Sequence, residues 1–323
     1  MLPMSRLTLL LTLAPTLLHA AESVERLDPA LDAIIPPETP IKTLCTGFDW
    51  SEGPVWDAKD QQLLFSDVPR NTIYAWREGE SEAREWMKPS GFTGVDSKGR
   101  SAGSNGLAID AKGRLVLCEH GDRRVAVLTP EGGKLTLADH FEGKRFNSPN
   151  DLTIHSNGDI YFTDPPYGLA NQEVGRELDF FGVYRLATDG SVTLLVRDLE
   201  RPNGIALSPD EKTLYVAQSH RPLPVIMAYP VQDDGSVGEG RVFFDTRGLE
   251  GPGLPDGMKV RSDGTVFATG PGGLLIISPE GKLLGRILCG RSTANVAFGP
   301  DESSLFLTAD DRVLKVALAA AAK

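Results

Sequence analysis

The chain has 323 residues, a formal net charge of −11 at neutral pH and 41% hydrophobic residues. That apolar fraction suits a globular protein with a sizeable core and excludes fibrous and disordered classes. The acidic balance argues against nucleic acid or an anionic membrane surface as a partner.

Residues 1–20 carry the marks of a secretory signal peptide. Arg6 gives a positive start, residues 7–18 are apolar, and His19-Ala20-Ala21 ends in small residues suited to cleavage. The apolar stretch is too short to cross about 30 Å of hydrocarbon as a helix, and no later segment is long or apolar enough. The expected location is therefore exported, periplasmic or secreted, with no membrane span in the mature chain. Residues 21–40 hold Pro29, Pro36, Pro37 and Pro40 without a clean period, and read as an extended lead-in wrapping the domain.

From residue 41 to 318 the chain reads as short strands separated by Asp-, Asn- and Gly-containing turns. PVWD, QLLFSD, TIYAW and AREWM form a first set of four. GLAID, RLVLCE, RVAVLT and KLTLAD repeat it, followed by DLTIH, DIYFTD, GVYRLA and VTLLVRD. Then come GIALS, TLYVAQ, VIMAYP and RVFFDT, and after them GMKV, TVFATG, LLIIS and LLGRIL. The last set, NVAFG, SLFLTA and RVLKVAL, lacks a fourth strand, and residues 41–47 (IKTLCTG) have no other home. The sequence therefore predicts an all-β, six-bladed β-propeller whose ring is closed by an N-terminal strand completing the last blade, with residues 319–323 as a tail. No window sustains the apolar spacing of a helix. The cysteines, Cys45, Cys118 and Cys289, cannot all pair; export permits one disulfide, but buried free thiols are the expected state.

One oxygen-bearing residue recurs just before a short apolar strand about every fifty residues: Glu52, Asn105, Asn150, Asn203, Asp256 and Asn295. In a propeller the first strand of each blade lines the channel, so these side chains converge on one axis. A single Asn-Gly or Asp-Gly is ordinarily a turn with positive φ; the recurrence at equivalent places favours a shared site. Glu52 and Asp256 supply charge, and Asn150 and Asn203 supply neutral carbonyl oxygens, a hard donor set for a divalent cation. Calcium is expected because carboxamides from separate blades suit a large, flexible shell; Mg²⁺, Mn²⁺ or Zn²⁺ are the other candidates. Asn295, with no Gly or Pro beside it, is left out of the metal set. Connections between second and third strands share this face and carry Asp67, His120, Asp164, His220 and the long segment 165–181, whose length marks a lid or binding loop. Asn105, His120 and Asn150 are the candidates for touching substrate, whereas Arg145, Asp151 and Asp164 suit wall positions or structural hydrogen bonds equally. There is no GxSxG elbow and no cysteine in a nucleophile's setting.

Taken together, SEGPVW, SNGLAID, CEHGDRRV, RFNSPNDL, YFTDPPYGL, RPNGIALSPDEKTLYV and LPDGMKV resemble the gluconolactonase branch of the SMP-30/gluconolactonase/luciferin-regenerating-enzyme family over residues 44–316. The resemblance implies a six-bladed propeller with a divalent metal, usually calcium, on its axis, and hydrolysis of sugar lactones. Matched motif by motif, it implies Glu52, Asn150, Asn203 and Asp256 as metal ligands and Asp256 as the acid/base. Animal members carry a substrate-binding arginine two positions before the residue matching Asn150; Ser148 stands there in this chain, so the sugar must be recognised differently. The expected activity is calcium-dependent hydrolysis of a sugar lactone, in which the metal polarises the carbonyl or activates water. The alternatives are a non-enzymatic sugar- or protein-binding propeller with a structural ion, and a broader esterase or phosphotriesterase.

Overall fold

In every repeat the chain runs from a polar axis outward through a buried middle to an exposed edge. In a computed structural model describing residues 22–95 and 101–321, each repeat forms a four-stranded antiparallel sheet, six of them in sequence order. Blade one is built from Ser51–Asp57, Gln62–Asp67, Thr72–Trp76 and Arg84–Met87; its second strand is wholly buried and its fourth carries exposed residues. The innermost strands of the other blades are Ser104–Ile109, Leu152–Ile154, Pro202–Leu207, Met258–Val260 and Asn295–Phe298. Residues 1–20, with the signal-peptide reading, lie outside the described residues.

The core is not central. The buried apolar residues fall into six clusters, each wedged between two neighbouring blades. Leu64, Ile73 and Ala75 of blade one meet Leu107, Leu115 and Leu117 of blade two, for example. Wedges of this kind follow from strands whose two faces are both covered, and they leave the axis free for polar side chains.

Ile41–Thr46 pairs antiparallel with Arg312–Ala317 and supplies the fourth strand of blade six, closing the ring as the sequence implied. The lead-in is more structured than its prolines suggested. Ser23–Arg26 adds a fifth strand to blade five by pairing with Leu283–Leu288, and a 3₁₀ turn over Pro29–Ala33 follows. Leu31, Ile34 and Ile35 are then buried between blades five and six. A four-residue strand this polar has no periodicity to read; it exists because an unpaired sheet edge lies beside it. All three cysteines are free and buried. Burial pushes the Cys45 thiol up to about 12 and the Cys289 thiol to about 11, which makes both poor nucleophiles at neutral pH.

Deleting residues 41–47 removes the closing strand and uncovers Phe306 and Val313, which pack against Leu44 and Cys45. The expected result is loss of folding or a melting temperature lower by more than about 10 °C. An unchanged melting temperature in calorimetry would overturn the closing role.

Candidate active site and cation site

Five of the six recurring residues meet at one mouth of the channel, and two local devices hold them there. In blades one, two and four the first strand slips register at the mouth residue, between Glu52 and Val55, Ser104 and Leu107, and Pro202 and Ile205. Bulges of this kind re-aim a side chain at the end of a ladder. The glycine that follows is required by crowding rather than by turn geometry. A Cβ on Gly53 would lie 1.9 Å from the Asn105 carbonyl oxygen, and one on Gly204 would lie 2.1 Å from that of Asp256. Of Gly53, Gly106, Gly204 and Gly257 only Gly53 has positive φ, so the turn reading fails for the other three. Where a blade has this glycine it is pressed against the next blade's inner strand, Gly53 and Gly204 against the mouth carbonyl, Gly106 and Gly257 most closely against Asp151 and Asn295.

This rule corrects the sixth position. Gly106 donates its N–H to the Asn150 carbonyl, and Gly257 donates to that of Ala294. Ala294 therefore holds the mouth place in blade six. Asn295 sits one residue deeper, where four other blades have glycine and blade three has Asp151. The two side chains meet across the axis, Asn295 Nδ2 donating to Asp151 Oδ2 at 3.2 Å. Each also turns an oxygen back on the next backbone N–H, of Leu152 and Val296 respectively. Blades three and six face each other across the ring, so this pair bridges the axis beneath the mouth.

Above this bridge the carboxamides form a chain. Asn105 Nδ2 donates to Asn150 Oδ1 at 3.0 Å, Asn150 Nδ2 to Asn203 Oδ1 at 2.5 Å, and Asn203 Nδ2 to Ser219 Oγ at 2.9 Å. The Asn150 and Asn203 oxygens point along one arc, and the buried Asn105 Oδ1 has no partner. Glu52 and Asp256 complete the set. Burial raises the Glu52 pKa, with the Asp151 charge adding to the rise and the Gly53 N–H opposing it. Asp256 is raised well above the usual carboxylate range by burial, then by the Glu52 and Asp151 charges. Two buried acids, each raised by burial and by a neighbouring carboxylate, beside neutral oxygens fit a divalent cation, which supplies the missing positive charge. Among the described residues no three His, Cys, Asp or Glu gather in metal-ligating spacing; what the mouth offers is two carboxylates with amides.

The cavity over this set measures about 410 Å³, room for a sugar-sized ligand, and is lined by Glu52, Asn105, His120, Asn150, Asn203 and Asp256 among others. His120 is 2% exposed. Its Nδ1 faces the Ser101 carbonyl and its Nε2 faces Asn150 Oδ1, both at 3.0 Å. Burial lowers its pKa, so the ring carries one proton and donates from only one of its two nitrogens. It braces Asn150 and turns a ring edge to the cavity.

Other candidates fall outside. Asp164 accepts from the backbone N–H groups of Asn147 and Ser148, both at 2.7 Å, and Arg145 donates to the Asp122 carbonyl. Asp67 takes the N–H groups of Asp49 and Trp50. His220 belongs to a neighbouring groove with Phe181 and Arg201. Sequence reasoning missed Trp50, Tyr167, Gln172, Ser219, Arg221 and Thr293, all of which line the cavity. Only Tyr167 and Gln172 had a signal, their place in the long segment 165–181.

Residues 50–311 match the model of the SMP-30/Gluconolactonase/LRE-like region. A gluconolactonase from Zymomonas mobilis is 38% identical over 307 residues, covering 91% of this chain and 85% of its own. The solved structure of a gluconolactonase from Xanthomonas campestris is 32% identical, with a TM-score of 0.82 over 94% of this chain and 98% of that one. Regucalcin from Agrobacterium tumefaciens, a calcium-binding protein, shares the fold at 19% identity and a TM-score of 0.70, over 88% of this chain and 96% of its own.

The raised carboxylates set a pH dependence. Glu52 rises from 4.5 to about 7, so between those values the folded chain holds a proton that the unfolded chain has lost. With divalent ions chelated, stability therefore falls as pH rises from about 5 to 8. Asp164, pushed up to about 7 by burial, adds to the same slope but lies off the cavity. The part of the slope that added calcium abolishes reports the mouth alone. Thermal melts across this window that are identical with and without calcium would remove the cation from the mouth.

Proposed function

This chain belongs to the SMP-30/gluconolactonase/LRE-like family, and on that premise we propose that it hydrolyses a sugar lactone with a divalent cation, calcium by the chemistry of its donors, held at the channel mouth. The observation that carries this reading is the pair of acids, Glu52 and Asp256, lining one cavity and both raised by burial and by neighbouring carboxylate charge. Glu52, Asp256 and the oxygens of Asn150 and Asn203 would hold the ion; Asn203 Oδ1 accepts one N–H and keeps a second lone pair, and Asn150 Oδ1 does so when the His120 proton sits on Nδ1, donating to the Ser101 carbonyl. When bound, the cation supplies Lewis-acid polarisation and positive charge where an oxyanion develops.

The remaining steps belong to the chain. The cavity receives the lactone beside Asn105, which lines it. Asp256 accepts the proton of the attacking water at its carboxylate and returns it to the ring oxygen as the ester bond opens. His120, fixed by Ser101, keeps Asn150 in register. A purely structural ion would need neither the cavity nor an acid opening into it. The export reading of residues 1–20 belongs to the same proposal, placing the enzyme outside the cytoplasm.

Purified protein should open glucono-1,5-lactone and lose that activity to a chelator. Glu52→Gln should weaken calcium binding about tenfold or more while leaving a folded protein, because it removes one of two charges facing the ion; wild-type affinity in calorimetry would exclude Glu52 from the site. Asp256→Asn keeps the shape and one oxygen but removes the proton acceptor. At saturating calcium its kcat should fall roughly a hundredfold or more. Near-wild-type kcat with the ion bound would end the general-base role.

A further inference from the structure

The segment 165–181 does not hang free over the cavity; it is hung from Ser148. The Ser148 hydroxyl donates to the Pro165 carbonyl at 2.5 Å and accepts the Gly168 N–H at 2.9 Å. A turn between them, closed by the Leu169 N–H on the Pro166 carbonyl at 2.9 Å, carries Tyr167 at its apex. Gly168 is pressed onto the site wall, where a Cβ would lie 2.5 Å from the Cβ of His120 and 2.8 Å from that of Ser148. Ser148 is itself fully buried and pinned through its N–H to Asp164. A buried side chain at 148 cannot reach a ligand. What it does is fix the residue that can.

Tyr167 enters the cavity from this turn, with its hydroxyl beside Ser219, Asn203 and the Asp256 carboxylate. A tyrosine phenol, with an ordinary pKa of about 10, is protonated at neutral pH and can both donate and accept. Most other polar groups around the cavity are already engaged. Asn150 and Asn203 bond to each other and to their neighbours, Ser219 Oγ donates to the Pro255 carbonyl, and both His120 nitrogens face oxygens. Gln172 and Arg221 line the rim but are exposed. Tyr167 is thus a polar side chain held through its hydroxyl by Ser219 and Asn203, and its phenol oxygen keeps acceptor capacity for a substrate hydroxyl.

We infer that Tyr167 is a specificity-determining residue, whose hydroxyl hydrogen-bonds the ring hydroxyls of a polyhydroxylated lactone, and that Ser148 sets its position. The inference rests on the lactonase reading and deepens it: the substrate is a sugar lactone because the site contains a fixed hydroxyl-reading group, not merely a carbonyl-polarising one. A site built to pair with a hydroxyl discriminates against analogues that lack it.

The test compares glucono-1,5-lactone with δ-valerolactone, a six-membered lactone without hydroxyls, in wild type and Tyr167→Phe at saturating calcium. Loss of one neutral hydrogen bond should lower the ratio of kcat/KM values, sugar lactone over bare lactone, by about five- to tenfold, mainly through KM. Ser148→Ala, which frees the turn, should lower the same ratio. A Tyr167→Phe ratio within twofold of wild type overturns the inference. A lowered ratio in Tyr167→Phe with a wild-type ratio in Ser148→Ala overturns the anchoring role alone. If the wild type opens neither lactone, the lactonase reading fails, and calorimetric binding of gluconate still decides the matter. Weaker binding to Tyr167→Phe then supports the sugar contact, and equal binding rejects it.

Discussion

Three carboxylates, Glu52, Asp151 and Asp256, lie within one another's field at one end of a narrow channel, and the design of the molecule answers to that concentration of charge. Burying a carboxylate without a partner costs several kcal/mol, so such a cluster persists only with protons or a cation among its members. The positive side chain acting on Asp151 is Lys259, whose Nζ is bonded to the Met258 carbonyl. Nothing comparable lowers Glu52, and the carboxamides are neutral. The mouth is therefore stable in two ways, protonated or loaded, and a lactone-opening site needs the second.

That arrangement is affordable because stability comes from elsewhere. Six wedges of apolar side chains between blades hold the ring, and none requires an apolar residue on the axis. The inner strands can then spend their first residues on oxygens and their second on glycine. Where two opposed blades depart from glycine, Asp151 and Asn295 meet across the axis. The same substitution at neighbouring blades would collide with the next strand's backbone, as the contacts around Gly53 and Gly204 show. The bridge can be built across the ring but not around it.

The strand sets, their number and the ring closure were legible in the sequence because period-two patterning and a period near fifty are both long signals. The convergence of Glu52, Asn105, Asn150, Asn203 and Asp256 was legible for the same reason. Asn295 was misplaced by one residue, since its strand offers neither bulge nor glycine to mark the mouth, and only the backbone pairing of Ala294 fixes the frame. Ser23–Arg26 was invisible because its strand character comes from the edge it covers. His120 was legible as a neighbour of the site but not as a brace, because its partners Ser101 and Asn150 are distant in sequence. Ser148 looked like a missing contact; its hydroxyl acts on a loop that begins seventeen residues later.

These placements divide the site's work between two kinds of backbone. The oxygen-bearing mouth residues sit on or just before inner strands, held by the slips at Glu52, Asn105 and Asn203 and by the close approach of the next blade. Changing the ion would mean changing several blades at once, each against its neighbour's main chain. Tyr167 sits on a turn held by one hydroxyl, in a segment whose buried apolar anchors include Leu169, Leu178 and Phe181. Its side chain can change without disturbing any wedge between blades, since Tyr167 belongs to none of the six clusters. On the proposed lactonase reading, a ring built this way would keep one chemistry while admitting different substrates, because the fold fixes the mouth oxygens and a loop carries the residue that would read the sugar.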